Sequence, residues 1–267
     1  MEQRVFDFGS NWLDYSRRAL TPERAAHARQ DFARLFSGIA LCDRHFLDIG
    51  YGQGLGILCA AEQGAHPVGL DLNPTCIKAF RLSAGHFPGV DPTTIPLLSG
   101  SILDGTTVDA LRALAPTAGY DVVQSWGVLH HTGDMRLALA NAAALVRPGG
   151  HLVIAIYNRH WSSPGWLLVK KAYNAAPQTV QRAMIGALTP IIRIAKRLVT
   201  GRPPETTDRG MDFAVDIVDW VGGYPYEYAT QSEVRALAEP HGLTQLRTAL
   251  PAVPTGCNEF VFRKNCA

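Results

Sequence analysis

The sequence has little of several features that would assign it to a specialised class. Charged residues make up only 18% of its 267 residues, and 25 Lys and Arg nearly balance 23 Asp and Glu. A disordered chain carries more charge and less apolar content than the 47% found here, and a nucleic-acid-binding tail carries a larger positive excess. No run approaches the roughly 20 apolar residues of a membrane-spanning helix. The composition favours a globular protein of one large domain or two small ones.

Cysteine is scarce and scattered. The five cysteines are Cys42, Cys59, Cys76, Cys257 and Cys266, and no two of them form a CxxC pair. This spacing indicates neither a disulfide framework nor a zinc site. Residues 1–7 contain no apolar core of a secretion signal, so the expected location is the cytoplasm.

Apolar runs typical of buried strands alternate with helical patterns, which predicts a parallel sheet with crossover helices. A turn at 147–150, Arg-Pro-Gly-Gly, is expected to end a helix over about 135–146. The third strand contains Pro96 and is therefore placed at an edge of the sheet. The predicted strands are 46–49, 67–71, 94–99, 120–125 and 151–157.

A helix and a hairpin are predicted near the C-terminus. Thr230 and Glu233 have the spacing of a capping box, and residues 240–242, Pro-His-Gly, end the helix. Only six residues separate the runs 243–250 and 257–262, too few for a parallel crossover. The expected fold class is α/β, a doubly wound Rossmann-like sheet of seven strands, mostly parallel and closed by an antiparallel hairpin.

Between residues 158 and 229 the alternation breaks, which predicts a helical lid insertion. Residues 135–204 contain ten Lys and Arg but no Asp or Glu, whereas residues 205–239 contain eight acids. The two halves neutralise each other across the lid, or the basic half faces an anionic substrate or lipid headgroups.

The strongest local signal is residues 48–54, Asp-Ile-Gly-Tyr-Gly-Gln-Gly, which follow the first strand. Glycine lets the backbone approach a ligand where a Cβ would collide. The spacing excludes the dinucleotide pattern GxGxxG, because Leu55 or Ile57 stands at the third glycine position, and no Gly-Lys-Ser/Thr of a P-loop follows. An acid before such a loop suits a ligand with a cationic amino-acid end.

Asp71 closes the second strand, where a carboxylate can accept both hydroxyls of a ribose. The simpler explanation is that Asp71 caps the next helix. The glycine loop beside it makes the nucleoside site the better interpretation.

These motifs, with residues 100–104, 120–123 and 147–150, resemble in order those of class I S-adenosylmethionine-dependent methyltransferases. Further stretches at 6–12, 125–135, 209–212, 219–227 and 257–262 resemble bacterial small-molecule methyltransferases related to quinone-ring methylases. Tyr51 departs from the small residue usual in those proteins. The resemblance implies a single domain with an N-terminal helical cap (1–36), a cofactor-binding core (37–157), the lid with the acceptor site (158–229), and the last helix and hairpin (230–267).

The same resemblance implies S-adenosyl-L-methionine as cofactor and places twelve residues around it. The methionine portion is assigned to Gly50, Gly52 and Gly54, with Asp48 orienting the loop. The nucleoside is assigned to Asp71 at the ribose and to Leu72, Ser101 and Ile102 at the adenine. The sulfonium is assigned to Ser125 and Trp126, with Trp12 and Tyr15 closing over it.

Methyl transfer to a hydroxyl needs a base, and His130 and His131 follow the fourth strand at the ligand-binding edge of the sheet. His131 is the preferred base, although either ring has a simpler structural explanation. Glu259 and Glu227 are lesser candidates, and Tyr224 and Tyr226 have the aromatic character of an acceptor wall. The predicted activity is O-methylation of a natural product, sugar or phenol.

Several alternatives stay open. They are C-methylation of a quinone-like ring, RNA methylation, and a non-catalytic cofactor-binding scaffold. Asp212, Asp216 and Asp219 could invite a metal, but a solvated helix face explains them better, so no metal is expected. The expected partner is a small-molecule acceptor and not nucleic acid. A membrane contact of the basic segment is left open but not favoured, and the chain is taken as a monomer or homodimer.

Overall fold

The computed structural model describes residues 6–203 and 210–266. Its centre is a seven-stranded sheet with the strand order β3-β2-β1-β4-β5-β7-β6. Neighbours among β1 to β5 pair in parallel, and β7 pairs antiparallel with both β5 and β6. The strands are β1 His45–Ile49, β2 His66–Asp71, β3 Leu97–Ser99, β4 Tyr120–Trp126, β5 Val146–Tyr157, β6 Leu243–Ala249 and β7 Cys257–Lys264. The predicted fold class and the closing hairpin are confirmed.

Helices cover both faces of the sheet, and alternate residues of β1 show why. Leu47 and Ile49 enter one hydrophobic cluster, whereas Phe46 enters the cluster on the opposite face. In the described ranges the helices are α1 Phe8–Arg18, α2 Pro22–Leu35, α3 Leu55–Glu62, α4 Cys76–Ala84, α5 Gly105–Leu114, α6 Met135–Leu145, α7 Ser163–Ala175, α8 Gln178–Thr200, α9 Phe213–Gly222 and α10 Gln231–Ala238. The capping box at Thr230 and Glu233 is present as predicted.

Two predicted boundaries are wrong. The helix α6 ends at Leu145, and residues 147–150 belong to β5 instead of forming a free turn. Tyr120 of β4 pairs with Val146 of β5, but Val122 pairs with His151, so the register shifts between the two pairs. The Pro-Gly-Gly segment lies in this irregular part of β5. The strand β3 spans only Leu97–Ser99, because Pro92–Thr94 form a short 3₁₀ turn. It does lie at an edge, as the proline indicates.

The helices α7, α8 and α9 make up the segment that the sequence predicts to be a lid, and we call them the lid. A small separate cluster holds it together, centred on Tyr173, Phe213, Ile217 and Val221. Along the parts of the chain that the structure covers, no helix is long and apolar enough to cross a membrane. Residues 205–209, which carry the first acids of the predicted acidic block and Arg209 of the 209–212 motif, lie outside the described residues. The predicted division into four segments stays a prediction.

Candidate active site

A cavity of about 1330 Å³ opens at the carboxyl ends of β1, β2 and β4. It begins at the glycine loop and extends under the lid to α8 and the loop between β6 and β7. Pockets for a single small ligand usually measure about 300–1,000 Å³. The cavity therefore has room for two molecules side by side.

The glycine loop has the backbone that its sequence predicts. Gly50, Gly52 and Gly54 all have φ between 55° and 81°, the left-handed region that favours glycine. A Cβ on Gly52 would lie 2.9 Å from Nε1 of Trp12, so α1 packs directly on the loop. Asp48 is buried beneath the loop, as predicted.

Gly56, in the first turn of α3, and Gln124, on β4, are two residues beside the glycine loop that the sequence analysis missed. A Cβ on Gly56 would lie 2.5 Å from Nε2 of Gln124 and 2.7 Å from Oδ2 of Asp48. Only a glycine at this position lets the start of α3 approach the two side chains. The signal was present, since Gly56 extends the run of alternate glycines.

Asp71 ties the end of β2 to the glycine loop. Its Oδ2 accepts from the backbone N–H of Gly52 and its Oδ1 from that of Asn73, both at 2.9 Å. Burial raises the pKa of Asp71, and the two N–H donors act in the opposite direction. The helix α4 begins only at Cys76, so Asp71 does not cap it. The thiol of Cys76 also bonds to this carboxylate, whose two oxygens can accept about four hydrogen bonds in all, so the carboxylate still has room to accept from a ligand.

Leu72, Ser101 and Ile102 all line the predicted adenine end of the cavity. The side chain of Leu72 is 63% exposed, which is unusual for a leucine and leaves an apolar wall for a flat ring. Ser101 accepts from the N–H of Leu103 at 3.2 Å. Ile102 is almost fully buried in the core and reaches the cavity only at its edge.

Trp12 and Trp126 line the cavity, but Ser125 and Tyr15 do not. Ser125 is fully buried and donates its hydroxyl to the carbonyl of Ile49 at 3.0 Å, which ties β4 to β1. Tyr15 is also fully buried and donates to the carbonyl of Gly210 at 2.5 Å. Both side chains are therefore directed into the protein interior, and the predicted contacts of these two residues with the cofactor stay a prediction. Side chains of a strand alternate between faces, and Trp126 takes the position facing the cavity.

His130 and His131 both reach the cavity. Nδ1 of His130 accepts from the N–H of Tyr157 at 3.3 Å, so the proton of the neutral ring is on Nε2, which is buried without a partner. Nδ1 of His131 donates to the carbonyl of Pro225 at 2.5 Å, which leaves the lone pair on Nε2. The two rings thus present one donor and one acceptor.

Both histidines are neutral at physiological pH. Burial and the nearby Lys170 charge lower the pKa of His131 to about 3. Burial, then the charges of His131 and Lys170, lower the pKa of His130 well below its usual value. His131 therefore does not hold a proton near neutral pH, which makes it a poor general base.

The buried histidines predict an acid-sensitive fold. Below pH 6.5 the unfolded chain binds protons at these rings and the folded chain does not, so stability falls as the pH falls. For His131 this loss continues to about pH 3, with a slope of about 1.4 kcal/mol per pH unit. His131→Gln keeps a donor for Pro225 and should flatten the slope by that amount in urea melts between pH 6 and pH 4. Equal slopes in both proteins contradict the prediction.

The four predicted acceptor residues have different positions. Tyr224, Tyr226 and Glu227 do not line the cavity, so their contact with an acceptor stays a prediction. Glu227 instead accepts from the N–H of Met135 at 2.9 Å, at the start of α6. Tyr226 is buried 5.2 Å from the ring of Tyr157, which itself lines the cavity.

Glu259 lines the cavity as predicted, but its carboxylate is already bound. Arg34 donates to it from both terminal nitrogens, at 2.9 and 3.2 Å, and Nε1 of Trp126 donates to it at 3.0 Å. Glu259 therefore positions the Trp126 indole in the cavity wall. Nothing in the sequence around either residue predicts this contact.

The acids of α9 are not one solvated face, so that prediction is wrong. Asp212 caps α9 and pairs with Arg24 at 2.6 Å. Asp219 lies in the cavity wall, and its Oδ1 accepts from Nδ2 of Asn11 at 2.6 Å. Burial raises the pKa of Asp219 to about 8, partly opposed by the Asn11 hydrogen bond. No cluster of three or more metal-ligating side chains occurs in the residues for which the structure gives positions.

Lys170 is an ionisable residue near the cavity that the sequence analysis did not single out. It is fully buried behind the cavity wall and donates to the carbonyl of Trp220. Its ammonium lies 4.7 Å from the centre of the Tyr226 ring. Burial lowers the pKa of Lys170 to about 7, while the charge of Asp219 acts in the opposite direction.

Comparison with known proteins places the chain among methyltransferases. A family model described as a methyltransferase domain matches residues 18–184, more than half of the chain. A ubiquinone biosynthesis O-methyltransferase of Rhodopseudomonas palustris is 28% identical over 159 residues, 58% of each chain. The chain thus spans less than two thirds of this relative.

Solved structures support the fold. An O-methyltransferase family protein from Burkholderia thailandensis matches with a TM-score of 0.55 and 15% identity, covering 91% of this chain and 57% of that one. Magnesium protoporphyrin IX methyltransferase from Synechocystis matches with a TM-score of 0.53 and 12% identity, covering 97% of this chain and 88% of that one. At these identities the likeness extends to the fold alone.

Proposed function

We propose that this chain, which belongs to the methyltransferase domain family, transfers the methyl group of S-adenosyl-L-methionine to a hydroxyl oxygen of a small molecule. The observation that carries the proposal is one cavity that is lined both by the glycine loop with Asp71 and, under the lid, by aromatic and ionisable side chains. We call the part beside the glycine loop and Asp71 the first chamber, which suits the cofactor, and the part under the lid the second chamber, which suits the acceptor.

The residues of the first chamber fit the cofactor. The left-handed glycines leave bare backbone for the methionine portion, Asp71 offers acceptor oxygens for the ribose hydroxyls, and Leu72 offers an apolar surface for adenine. When bound, the cofactor supplies a sulfonium methyl group for in-line displacement. Trp12 and Trp126 line the same cavity and help to exclude water.

We assign the removal of the acceptor proton to Asp219. Its carboxylate lies in the cavity wall with one oxygen held by Asn11, so the other is left for the acceptor. Its raised pKa also matches the task, because a base works best when its pKa lies near the working pH. His130 and His131 offer a hydrogen-bond donor and acceptor that orient the substrate.

An oxygen acceptor is preferred to a carbon acceptor. A carboxylate in the cavity wall can act as the base that removes a hydroxyl proton, whereas methylation of an electron-rich ring carbon needs less help from a base. The curated relative is named as an O-methyltransferase, which supports oxygen chemistry. The aromatic rings of Trp12, Trp126 and Tyr157 in the wall favour a flat acceptor such as a phenol.

A screen with labelled cofactor tests the function. Purified protein with methyl-labelled S-adenosylmethionine is incubated with libraries of phenols, hydroxylated natural products and sugars, and products are identified by mass spectrometry. We expect a methyl ether from at least one phenol. Calorimetry with the cofactor and its demethylated product is the parallel measurement. A protein that binds both but methylates only carbon, or nothing, contradicts the proposal.

A further inference from the structure

The lid helix α8 carries an apolar stripe that no part of the described chain covers. The stripe consists of Val180, Ala187, Ile191, Ile194 and Leu198, which recur at intervals of seven, four, three and four residues. These intervals place the five side chains on one face of a helix. The exposed fractions of Ile191, Ile194 and Leu198 are 62%, 61% and 79%.

A different face of α8 attaches the helix to the lid. Ile185, Leu188 and Ile192 are partly buried against the small cluster around Tyr173 and Phe213. Amphipathic helices of globular proteins normally bury their most apolar face. Here one apolar face packs on the protein and a second faces outward, so attachment to the lid does not account for the stripe.

The surroundings of the stripe are basic. The helix α8 carries Arg182, Arg193, Lys196 and Arg197 and no acid, and no Asp or Glu occurs anywhere from residue 135 to residue 203. Arg182, Arg193 and Arg197 recur at intervals of eleven and four residues, which places them on one face beside the stripe. An apolar stripe flanked by positive charge is the pattern of helices that lie in the headgroup region of anionic bilayers.

The exposed surface of α8 lies next to the cavity. A membrane bound to this surface would therefore lie close to the cavity. Ile191 and Val199 belong both to the exposed surface of α8 and to the cavity lining. Leu250, on the loop between β6 and β7, is 70% exposed and also lines the cavity. The cavity therefore opens beside the apolar surface of α8.

We propose that α8 docks this protein on an anionic membrane surface, with the apolar stripe in the headgroup region and the basic side chains on lipid phosphates. Docking of this kind is peripheral and reversible, and it presents the cavity mouth to the bilayer. Because α8 carries basic residues and no acid, a lipid surface is favoured over a second copy of this chain as its partner. Two copies joined along α8 would bring like charges together.

Vesicle co-sedimentation tests the proposal. The full chain is mixed with vesicles of phosphatidylglycerol and phosphatidylcholine in equal parts, or of phosphatidylcholine alone, at low and high salt. We expect binding to the anionic vesicles that weakens at least tenfold at high salt, and little binding to the neutral ones. The double variant Ile194→Ser/Leu198→Ser should lower the affinity about tenfold or more.

Matched controls separate docking from general damage. Leu114→Ser/Leu137→Ser changes two exposed leucines on α5 and α6 and should leave vesicle binding unchanged. Arg182→Gln/Arg197→Gln should weaken binding about fivefold per charge. Cofactor binding, measured by calorimetry, should be the same in all variants, because none of these residues lines the cavity.

Three results overturn the proposal. The first is equal binding to neutral and anionic vesicles, and the second is binding that the stripe variant does not change. The third is a dimer in light scattering that dissociates in Ile194→Ser/Leu198→Ser, since a second copy would then cover the stripe. None of these results bears on methyl transfer, so the proposed function is tested separately.

Discussion

Asp219→Asn is expected to lower the rate of methyl transfer about 10²- to 10⁴-fold, the usual contribution of a general base. The amide has nearly the size of the carboxyl and keeps an oxygen for Asn11, whose Nδ2 lies 2.6 Å from the present carboxylate oxygen. It cannot take a proton at neutral pH. The loss should therefore be in kcat, measured with the best phenol from the screen, while the affinity for the cofactor changes little.

The pH profile distinguishes a base from a structural carboxyl. Asp219 acts when it is ionised, and its pKa is raised to about 8, so the rate should rise with pH and level off above that value. Asp219→Asn should remove this rise. A pH-dependent rise that survives in the variant assigns the proton to another group.

Lys170→Met is the matched control, because it changes the charge near Asp219 at a residue that does not itself line the cavity. The ammonium of Lys170 favours the ionised form of Asp219, so its removal should raise the pKa of Asp219 and shift the profile to higher pH. Replacing a buried charged group by an apolar one of similar size is often tolerated, so the variant should fold. An unchanged profile contradicts coupling between the two residues.

The parts of the site that the sequence predicted are those that local chemistry determines. The loop conformation requires its three glycines, and Asp71 is the last residue of β2, so neighbours in sequence decide both positions. The predictions for Ser125 and Tyr15 gain no such support, for the opposite reason. Each is near the site in sequence, but its side chain points into the protein interior, where it binds a backbone carbonyl.

The acceptor side of the site could not be predicted from the sequence, because it depends on packing between distant segments of the chain. Asp219 is on a helix whose sequence suits a solvated face, and it becomes a cavity wall only because α1 brings Asn11 against it from more than 200 residues away. Glu259 likewise holds Trp126 and Arg34 from distant segments. The seven-stranded fold could be predicted without these long-range contacts, because the periodicity of each strand and helix is visible within a short segment of sequence.

Asp71→Ala is expected to weaken binding of S-adenosylmethionine by about 1–3 kcal/mol, roughly 5- to 150-fold in Kd. Two effects combine in this variant. The ribose loses charge-assisted hydrogen bonds, and the glycine loop loses the 2.9 Å tie between Gly52 and the carboxylate. Calorimetry with the cofactor and with its demethylated product should show the same loss, because both contain the ribose.

Asp91→Ala is the control for removing an aspartate that closes a turn. Asp91 accepts from the N–H of Thr93 at 2.9 Å, just as Asp71 accepts from that of Asn73, but it lies outside the cavity. Its loss should leave cofactor affinity unchanged. Asp71→Asn keeps one acceptor oxygen for Asn73 and puts a donor against the Gly52 N–H, so it should bind as weakly as Asp71→Ala. If both Asp71 variants fold and bind the cofactor as the parent does, then the crevice between β1 and β2 is not a nucleoside site.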